Sequence, residues 1–421
     1  MASYKHSVAL DYDKCRGCIT CLKRCPTEAI RIKGGHAVID SERCIDCGEC
    51  IRQCPHKAKR AVADKLADLP FGKKFVIALP PPSLYGQFEN LDDADYIMDG
   101  LLKIGFDHVY EVARAAELVT EYTRQYLKRD DIRRPVISSA CPVVTRLIAL
   151  RFPYLRDNLV PILSPMEIAA QKAIEEAIKK HPELKRDDIA TVFISPCPAK
   201  ISAVKNNFGG YESQVDYVVA VNEIYFELIG AMGKSDEIAP VSKTGMVGMS
   251  WAVSGGEASA LLNDRYLAAD GIENIIKVLD ELETGSFPFL DYIELNACSS
   301  GCVGGVMNVG NPYLTKVKIQ NIKRYLPVMQ NRPSVEEVKS IPEKYEYRQP
   351  EYESASKLDS DRKTAMSLMK EIVGLEKKLP GFDCGACGSP TCRAFAEDVI
   401  KNASSLEDCV FLDKGKESDC T

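Results

Sequence analysis

The sequence predicts an α/β multidomain protein, with a small α+β module at the N-terminus, a larger α/β domain in the middle and a small helical domain at the C-terminus. Three observations lead there. Seventeen cysteines, all but Cys420 placed at short fixed spacings or at the ends of apolar runs, fall in three zones: residues 15–54, 141–302 and 384–420. The middle zone alternates short apolar runs with stretches of helical periodicity, the pattern of a largely parallel sheet flanked by helices. At 421 residues the chain also exceeds the ~250–300 residues at which a single core stops growing. The expected divisions are 1–65, 72–329, a linker over 330–362, and 363–421.

The first strand of the middle domain is Phe75-Val-Ile-Ala-Leu79, stopped by Pro80-Pro81-Pro82. Ala94 to Ile104 has helical spacing and is followed by Gly105 and a second short run at His108-Val-Tyr110. Val136–Ser138, Thr191–Ile194 and Tyr292–Leu295 are further strands, each running directly into a cysteine, with helices such as Glu167–Lys180 between them. In open α/β sheets ligands gather at the carboxyl ends of strands. Three strand ends that each carry a cysteine therefore mark a site assembled from distant segments. Lys57 to Leu69 reads as a charged helical connector, and 330–362 as a polar, proline-containing linker. Thr364 to Lys378 regains helical spacing, and Cys392 opens a helix through Val399 that returns the chain to Cys409.

Lys and Arg number 54 against 60 Asp and Glu, a formal charge of -6. A nucleic-acid surface needs a clustered basic excess, so nucleic acid is excluded as a partner. The first twenty residues lack an apolar targeting core, and no stretch approaches the ~18 apolar residues of a membrane span. The expectation is a soluble, cytoplasmic protein without a membrane contact. In that reducing compartment closely spaced cysteines are metal ligands rather than disulfides.

The first cysteine zone holds Cys15-x2-Cys18-x2-Cys21-x3-Cys25-Pro26 and then Cys44-x2-Cys47-x2-Cys50-x3-Cys54-Pro55. Two-residue gaps let one tight loop cap three corners of a cubane, although thiolates at that spacing also suit zinc. The doubled motif is similar to bacterial-type ferredoxins. That resemblance implies one 4Fe-4S cluster on Cys15, Cys18, Cys21 and Cys54, and a second on Cys44, Cys47, Cys50 and Cys25, each fourth cysteine serving the other cluster. At the other end, Cys384-Gly-Ala-Cys387-Gly-Ser-Pro-Thr-Cys392 with Cys409 resembles the small cluster-binding domain of some respiratory and corrinoid iron–sulfur proteins. It implies a further cubane there, with zinc again the alternative for four cysteines. Gly385 and Gly388 let the backbone wrap such a group closely. Cys420 belongs to no motif and reads as a free thiol.

In the middle zone, Ser138-Ser-Ala-Cys141-Pro142, Ser195-Pro-Cys197-Pro-Ala-Lys200 and Asn296-Ala-Cys298-Ser-Ser-Gly-Cys302-Val-Gly-Gly resemble the three signature segments of the iron-iron (FeFe) hydrogenase catalytic domain. Pro82-Ser83, Gly105-Phe106-Asp107 and Ser254-Gly255-Gly256 flank them in the same order, so the resemblance spans residues 75–310. It implies that Cys141, Cys197, Cys298 and Cys302 hold a 4Fe-4S cubane. Cys302 would also bridge to a two-iron subcluster carrying carbon monoxide, cyanide and an aza-dithiolate, the whole being the H-cluster. Lys200 matches the lysine that donates to a cyanide ligand, an ammonium facing a buried anion, and Pro82 and Ser83 are pocket contacts.

The departures from that pattern are chemical. Active members carry a cysteine immediately before the first ligand, whose thiol relays protons to the bridging amine; here the position is Ala140. Methionines that pack against the subcluster are replaced by Ser195 and Asn296, and the tryptophan after the first CP by Val143-Val144. The acidic and serine relay positions find only a partial match, at Glu121 and Leu159-Val160. Proton transfer by a positioned group is worth roughly 10²–10⁴-fold, so losing the relay implies slow turnover with the cofactor retained. That combination resembles the sensory hydrogenase groups.

The expected function is reversible H2 = 2 H+ + 2 e- at low turnover, an H2 or redox sensor passing electrons through 4Fe-4S clusters. Its partners would be H2 and protons, hydrogenase maturation enzymes, a redox protein or a signalling kinase or phosphatase, and a second copy in a homodimer. No kinase, PAS-like or DNA-binding signature is legible, so any output belongs to another protein. The two accessory cluster modules, at opposite ends of the chain, predict two separate electron exits. The alternative is a non-catalytic iron–sulfur assembly or scaffold protein related to hydrogenases. If the missing relay limits the rate, Ala140→Cys raises H2 turnover in a gas-uptake assay; unchanged turnover counts against that explanation.

Overall fold

The structure, a computed structural model, describes residues 4–89, 91, 93–207, 211–232, 241–334, 336–348, 352 and 358–412. Cys420 lies outside the described residues. The chain divides into two compact units, one of Met1–Cys44, Glu49–Arg60 and Glu353–Thr421, the other of Ile45–Gly48 and Ala61–Tyr352.

In the first unit, strands β1 (Val8–Leu10) and β4 (Lys59–Ala61) pair, as do β2 (Ile30–Lys33) and β3 (His36–Ile39). β2 and β3 form an antiparallel hairpin in the register Ile30↔Ile39 to Lys33↔His36. One-turn helices at Thr20–Lys23 and Glu49–Arg52 carry Cys21 and Cys50. Leu22, Ile30 and Ala37 pack with Cys21 in a small core, against which Cys15, Cys25 and Cys50 lie. A second core joins helices Arg362–Glu376 and Cys392–Ile400 through Ile372, Leu379, Phe395 and Ala396. Both helices begin on a side-chain cap: Asp361 accepts from the Thr364 N–H at 2.8 Å and Thr391 from the Ala394 N–H at 3.1 Å.

The two accessory modules are neighbours within this unit, although they read as opposite ends of the sequence. The Ile32 N–H donates to Gly388 O at 2.9 Å. Arg31 pairs with Asp398 at 2.5 Å, Asp398 also accepts from Ser389, and Arg43 pairs with Glu397. Gly388 has φ +85°, and a Cβ there would run into Ile32 O. Only glycine permits that approach.

The second unit holds two parallel sheets. One runs β6 (His108–Val109), β5 (Phe75–Leu79), β8 (Ile189–Ser195), β9 (Tyr217–Ala220), and the other β10 (Tyr266–Asp270), β11 (Tyr292–Asn296), β7 (Val136–Ile137). β5 and β8 pair from Phe75↔Ile189 to Leu79↔Phe193. β8 is buried at every residue, as expected of a parallel strand covered on both faces. Its Val192 and Ile194 pack with Val76, Ala78 and Val219 and with apolar residues of helices Asp95–Ile104 and Val221–Met232.

Two expected segments differ. Lys57 to Leu69 is not a helix: its backbone joins a ladder as β4, and after it the Asp64 N–H donates to Val218 O while the Asp64 carboxylate accepts from the Val218 N–H. Only Leu66–Asp68 turns, as a short 3-10 helix. The span 330–362 is not a free linker either, since its residues up to Tyr352 belong to the second unit. Leu163 N–H donates to Tyr345 O, Tyr347 N–H to Pro161 O, and the rings of Tyr345 and Tyr347 are buried. Two large apolar rings outweigh the polar composition around them. Tyr345, 2% exposed and 6.0 Å from the Tyr122 ring, should cost ~3 kcal/mol when cut to alanine. Urea denaturation of Tyr345→Ala measures this, and an unchanged midpoint would mean the strap is not part of the core.

Candidate active site

The carboxyl ends of β5, β7, β8 and β11 feed one pocket of about 680 Å3 of atom-free space. Pro81, Pro82 and Ser83 follow β5, and Ala140 and Cys141 follow β7. Pro196 and Lys200 follow β8, while Asn296 closes β11 and leads into the Cys298–Cys302 loop. Cys141 and Cys197 each stand just ahead of a helix opened by proline, Pro142–Arg151 and Pro198–Asn206. Proline suits a first helical position, where no N–H is required. Between Cys298 and Cys302, Gly301 has φ +88°, and a Cβ there would lie 2.5 Å from Ser254 N. That close approach ties the cysteine loop to the Ser254-Gly255-Gly256 turn.

The four cysteines surround one cation. Burial works against the Lys200 ammonium, yet the charges of Cys302, Cys197, Cys141 and Cys298 together raise its pKa above the ordinary lysine value. Burial in turn pushes the Cys302 thiol up to about 11, with Lys200 opposing it, and raises Cys197. Gathered thiols in a low-dielectric site hold their protons until a cation takes their charge. Metal binding would supply that cation.

The predicted contacts divide. Ala140, Lys200, Asn296, Pro82, Ser83, Cys141 and Cys302 line the pocket. Ser195 does not: its hydroxyl donates to Cys197 O at 2.8 Å and accepts from the Cys197 N–H at 3.3 Å, so it shapes the cysteine turn instead. The Ser83 hydroxyl is buried without a hydrogen-bond partner. Valines 143 and 144 are buried core residues. Glu121 is held by Arg124 and lies 3.9 Å from Arg332, so it is engaged in ion pairs away from the pocket lining.

Sequence reasoning missed four lining residues. Trp251 lines the pocket and donates from Nε1 to Thr120 Oγ1 at 3.0 Å, so an indole is present from another segment. Ser138, Glu257 and Glu294 form a buried polar wall. Ser138 Oγ donates to the Glu257 carboxylate at 2.8 Å and accepts from the Ala140 N–H at 3.2 Å, and Tyr292 OH donates to Glu257 at 2.5 Å. Glu294 accepts from the Gly255 N–H, the Ala258 N–H and Asn296 Nδ2 at 2.7–2.9 Å. Burial and then the charge of Glu294 push Glu257 up to about 8, and burial raises Glu294 as well. A glutamate two residues after a Gly-Gly turn and another inside an apolar strand were the available signals.

In the first unit, burial raises the Cys21 thiol, and the charges of Cys18, Cys54 and Cys15 all add to that. Ala29 N–H points at Cys25 Sγ and Ala58 N–H at Cys54 Sγ, at 3.2 and 3.3 Å. Cys44, Cys50 and Cys25 belong to the first unit and Cys47 to the second. At the C-terminus Cys384, Cys387, Cys392 and Cys409 line one concavity with Phe382 and Phe411, and the charges of Cys409 and Cys384 reach Cys387. Among the described residues no three Cys, His, Asp or Glu side chains stand close enough to share a single metal ion.

Residues 74–306 match the family described as iron only hydrogenase large subunit, C-terminal domain; 7–55 match a 4Fe-4S dicluster domain and 379–411 an Fe-S cluster domain. Among curated proteins, an uncharacterized protein of Methanocaldococcus jannaschii is 48% identical over 46 residues, 11% of this chain and 20% of its own length. The corrinoid/iron-sulfur protein large subunit of Moorella thermoacetica is 44% identical over 43 residues, 10% of each chain. The chain thus spans a fifth or less of these relatives. A Chlamydomonas reinhardtii FeFe-hydrogenase variant shares the fold at a TM-score of 0.51 and 17% identity, covering 67% of this chain and 95% of its own. An apo variant of the same protein gives 0.51 and 16%, covering 69% and 97%. Fold and cysteine domains together define a class of iron–sulfur proteins. Within it, the match over more than half of the 421 residues makes this chain a member of the iron-only hydrogenase family. No described helix is long and apolar enough to cross a membrane.

The Glu257 pKa sets a pH signature. A carboxyl raised from 4.5 to about 8 on folding binds its proton more tightly in the native state. Its contribution is therefore complete below the unfolded value and lost as pH rises through about 8. The thermal midpoint of the protein should fall between about pH 5 and 8, and less steeply in Glu257→Gln. Equal slopes would show that Glu257 is not the buried proton carrier.

Proposed function

We propose that this chain activates H2 at the Cys302 pocket, slowly, and passes the electrons to its accessory cysteine sites as a hydrogen or redox sensor. The observation that carries this reading is the pocket itself: Cys302, Cys141 and Lys200 open onto it beside Ala140, Ser83 and Asn296. The residues fit an H-cluster. Cys141, Cys197, Cys298 and Cys302 would hold the cubane, with Cys302 shared with the two-iron unit, and Lys200 and the unpartnered Ser83 hydroxyl would meet its diatomic ligands. When bound, that group supplies the hydrogen chemistry.

The chain's own residues handle the proton and the surroundings. With a methyl group at Ala140, that position connects to a titratable side chain through its backbone: the Ala140 N–H donates to Ser138 Oγ, which donates to Glu257. A carboxyl titrating near 8 is suited to giving and taking protons at neutral pH. Glu294, fixed by three N–H donors, helps raise the Glu257 pKa by its charge. Val112, Ala116, Phe193, Trp251 and Leu295 supply apolar walls that exclude water. The accessory ligand sets are those of the sequence: Cys15, Cys18, Cys21, Cys54; Cys44, Cys47, Cys50, Cys25; and Cys384, Cys387, Cys392, Cys409. A signalling kinase or phosphatase, or a redox protein, would receive the output.

The test is maturation of the full chain with the two-iron unit, followed by infrared spectroscopy and H2 uptake. Carbon monoxide and cyanide bands with slow uptake are expected, and Glu257→Gln should keep the bands while cutting uptake at least ~10²-fold. Absence of the bands after maturation would favour the non-catalytic scaffold reading.

A further inference from the structure

The second unit carries a surface that the pocket chemistry does not use. Helix Val221–Met232 turns Val221, Ile224 and Leu228 into the core and leaves Phe226 at 76% and Ile229 at 43% exposure. Helix Pro312–Lys323 buries Thr315, Ile319 and Ile322 and leaves Tyr313, Leu314 and Val317 exposed, Tyr313 at 67%. At 3.6 residues per turn those three stand away from the buried row. A single exposed apolar side chain is ordinary, but a group of them on neighbouring helices marks a binding surface.

Residues 86–89 form a seam between the two helices. Tyr225 OH donates to Gln87 O at 3.5 Å, and the Tyr225 ring stacks on Phe88 and meets Phe226 edge-on, with centroids 5.2 and 5.3 Å away. Gln87 Oε1 accepts from the Val309 and Gly310 N–H groups at 3.0 and 2.8 Å, just ahead of the second helix. Across the seam Lys318 Nζ pairs with Glu89 at 2.7 Å. The two outer flanks carry opposite charge. The helical period puts Glu223 and Glu227, both exposed, beyond Phe226 on the side away from Gln87. On the other flank no Asp or Glu occurs between Glu294 and Glu336, whereas Lys316, Lys318, Lys323, Arg324 and Arg332 all do. Lys318 is occupied by Glu89, and Lys323 donates to Ser250 Oγ at 3.2 Å. Lys316, Arg324, Glu223 and Glu227 have no ion-pair partner among the described residues. The order across the face is acid, apolar, seam, apolar, base.

We propose that this face binds a second copy of the chain, the two copies being related by a two-fold axis through the seam at Gln87 and Glu89. A surface that meets itself about a two-fold must be self-complementary, and this order is. The rotation lays Phe226 and Ile229 of one copy against Tyr313, Leu314 and Val317 of the other, and sets Glu223 and Glu227 opposite Lys316 and Arg324 at both ends. A purely acidic or purely basic partner would match only half of the face. An apolar centre with a charged rim is the usual anatomy of a specific interface, which buries ~800 Å2 per partner. Phe226, Tyr313 and Tyr325, the last 86% exposed beside Arg324, supply roughly half of that at ~150–250 Å2 per aromatic side chain. Each copy has a net charge of -6, which opposes association in general. The acid-free stretch between Glu294 and Glu336 is what makes the contact attractive, and its charges fix the register.

The test is analytical sedimentation of the full chain, reconstituted with iron and sulfide, over a range of protein and salt concentrations. A monomer–dimer equilibrium that weakens as salt rises is expected. Phe226→Asp and Val317→Asp, at exposed positions outside the core, should each weaken the dimer at least ~10-fold. Glu223→Lys with Glu227→Lys should do the same. Adding Lys316→Glu and Arg324→Glu to that pair should restore the dimer, a rescue that a folding defect would not give. A monomer at every concentration, a dimer indifferent to these substitutions, or a charge swap without rescue would overturn the proposal. A monomer that sediments with anionic phospholipid vesicles would also overturn it, and would assign the face to a membrane surface. Hydrogen uptake is no part of the readout, so the outcome is independent of the pocket's function.

Discussion

The molecule depends on collecting like charges in a place that resists them. Cys141 and Cys302 line one pocket beyond the ends of β7 and β11, and the charges of Cys197 and Cys141 raise the cost of ionising Cys302. Lys200 is the chain's own answer: its ammonium is strengthened by the sulfurs around it despite burial. Without further positive charge the thiols keep their protons, as the rise of Cys302 to about 11 shows. The parallel sheets supply the rigidity: β8 is buried at every residue, and residues just beyond β5, β7, β8 and β11 line the pocket.

The same pocket separates proton handling from metal holding. The position beside Cys141 that could carry a thiol is Ala140, and Glu121 is tied to Arg124. A second route is built on the adjoining wall. Ser138 links the Ala140 backbone to Glu257, whose pKa is raised by burial and, after it, by the charge of Glu294. Two carboxyls buried side by side cannot both ionise cheaply, so their environments push them into different roles. Loss of the cysteine relay therefore changes where protons are held rather than leaving the pocket without them.

The two cysteine-bearing modules of the first unit are joined by contacts between segments far apart in sequence. Arg31 with Asp398, Arg43 with Glu397, and Lys23 with the carbonyls around the Cys384 loop draw the C-terminal module onto the ferredoxin module. Partly buried pairs of this kind are screened by salt far less than exposed ones. Gly388 admits the backbone hydrogen bond to Ile32 that no larger residue would allow.

The cysteine spacings, the strands that run into Cys141, Cys197 and Cys298, and the helices Pro165–Lys180 and Cys392–Ile400 were legible from sequence. Each is set by local rules: ligand geometry over two or three residues, an apolar run, a proline or capping residue. Ala140 was legible for the same reason, as one residue in a motif. Other features were hidden because they arise only between segments. The paired charges of Glu257 and Glu294, the supply of an indole by Trp251 and the burial of Tyr345 in a polar stretch all depend on neighbours far along the chain. So do the turning of Ser195 away from the pocket and the docking of the two accessory modules. Local chemistry determined which atoms can hold iron; tertiary packing decided which charges face them, since electrostatic energy depends on distance and dielectric, and sequence order specifies neither.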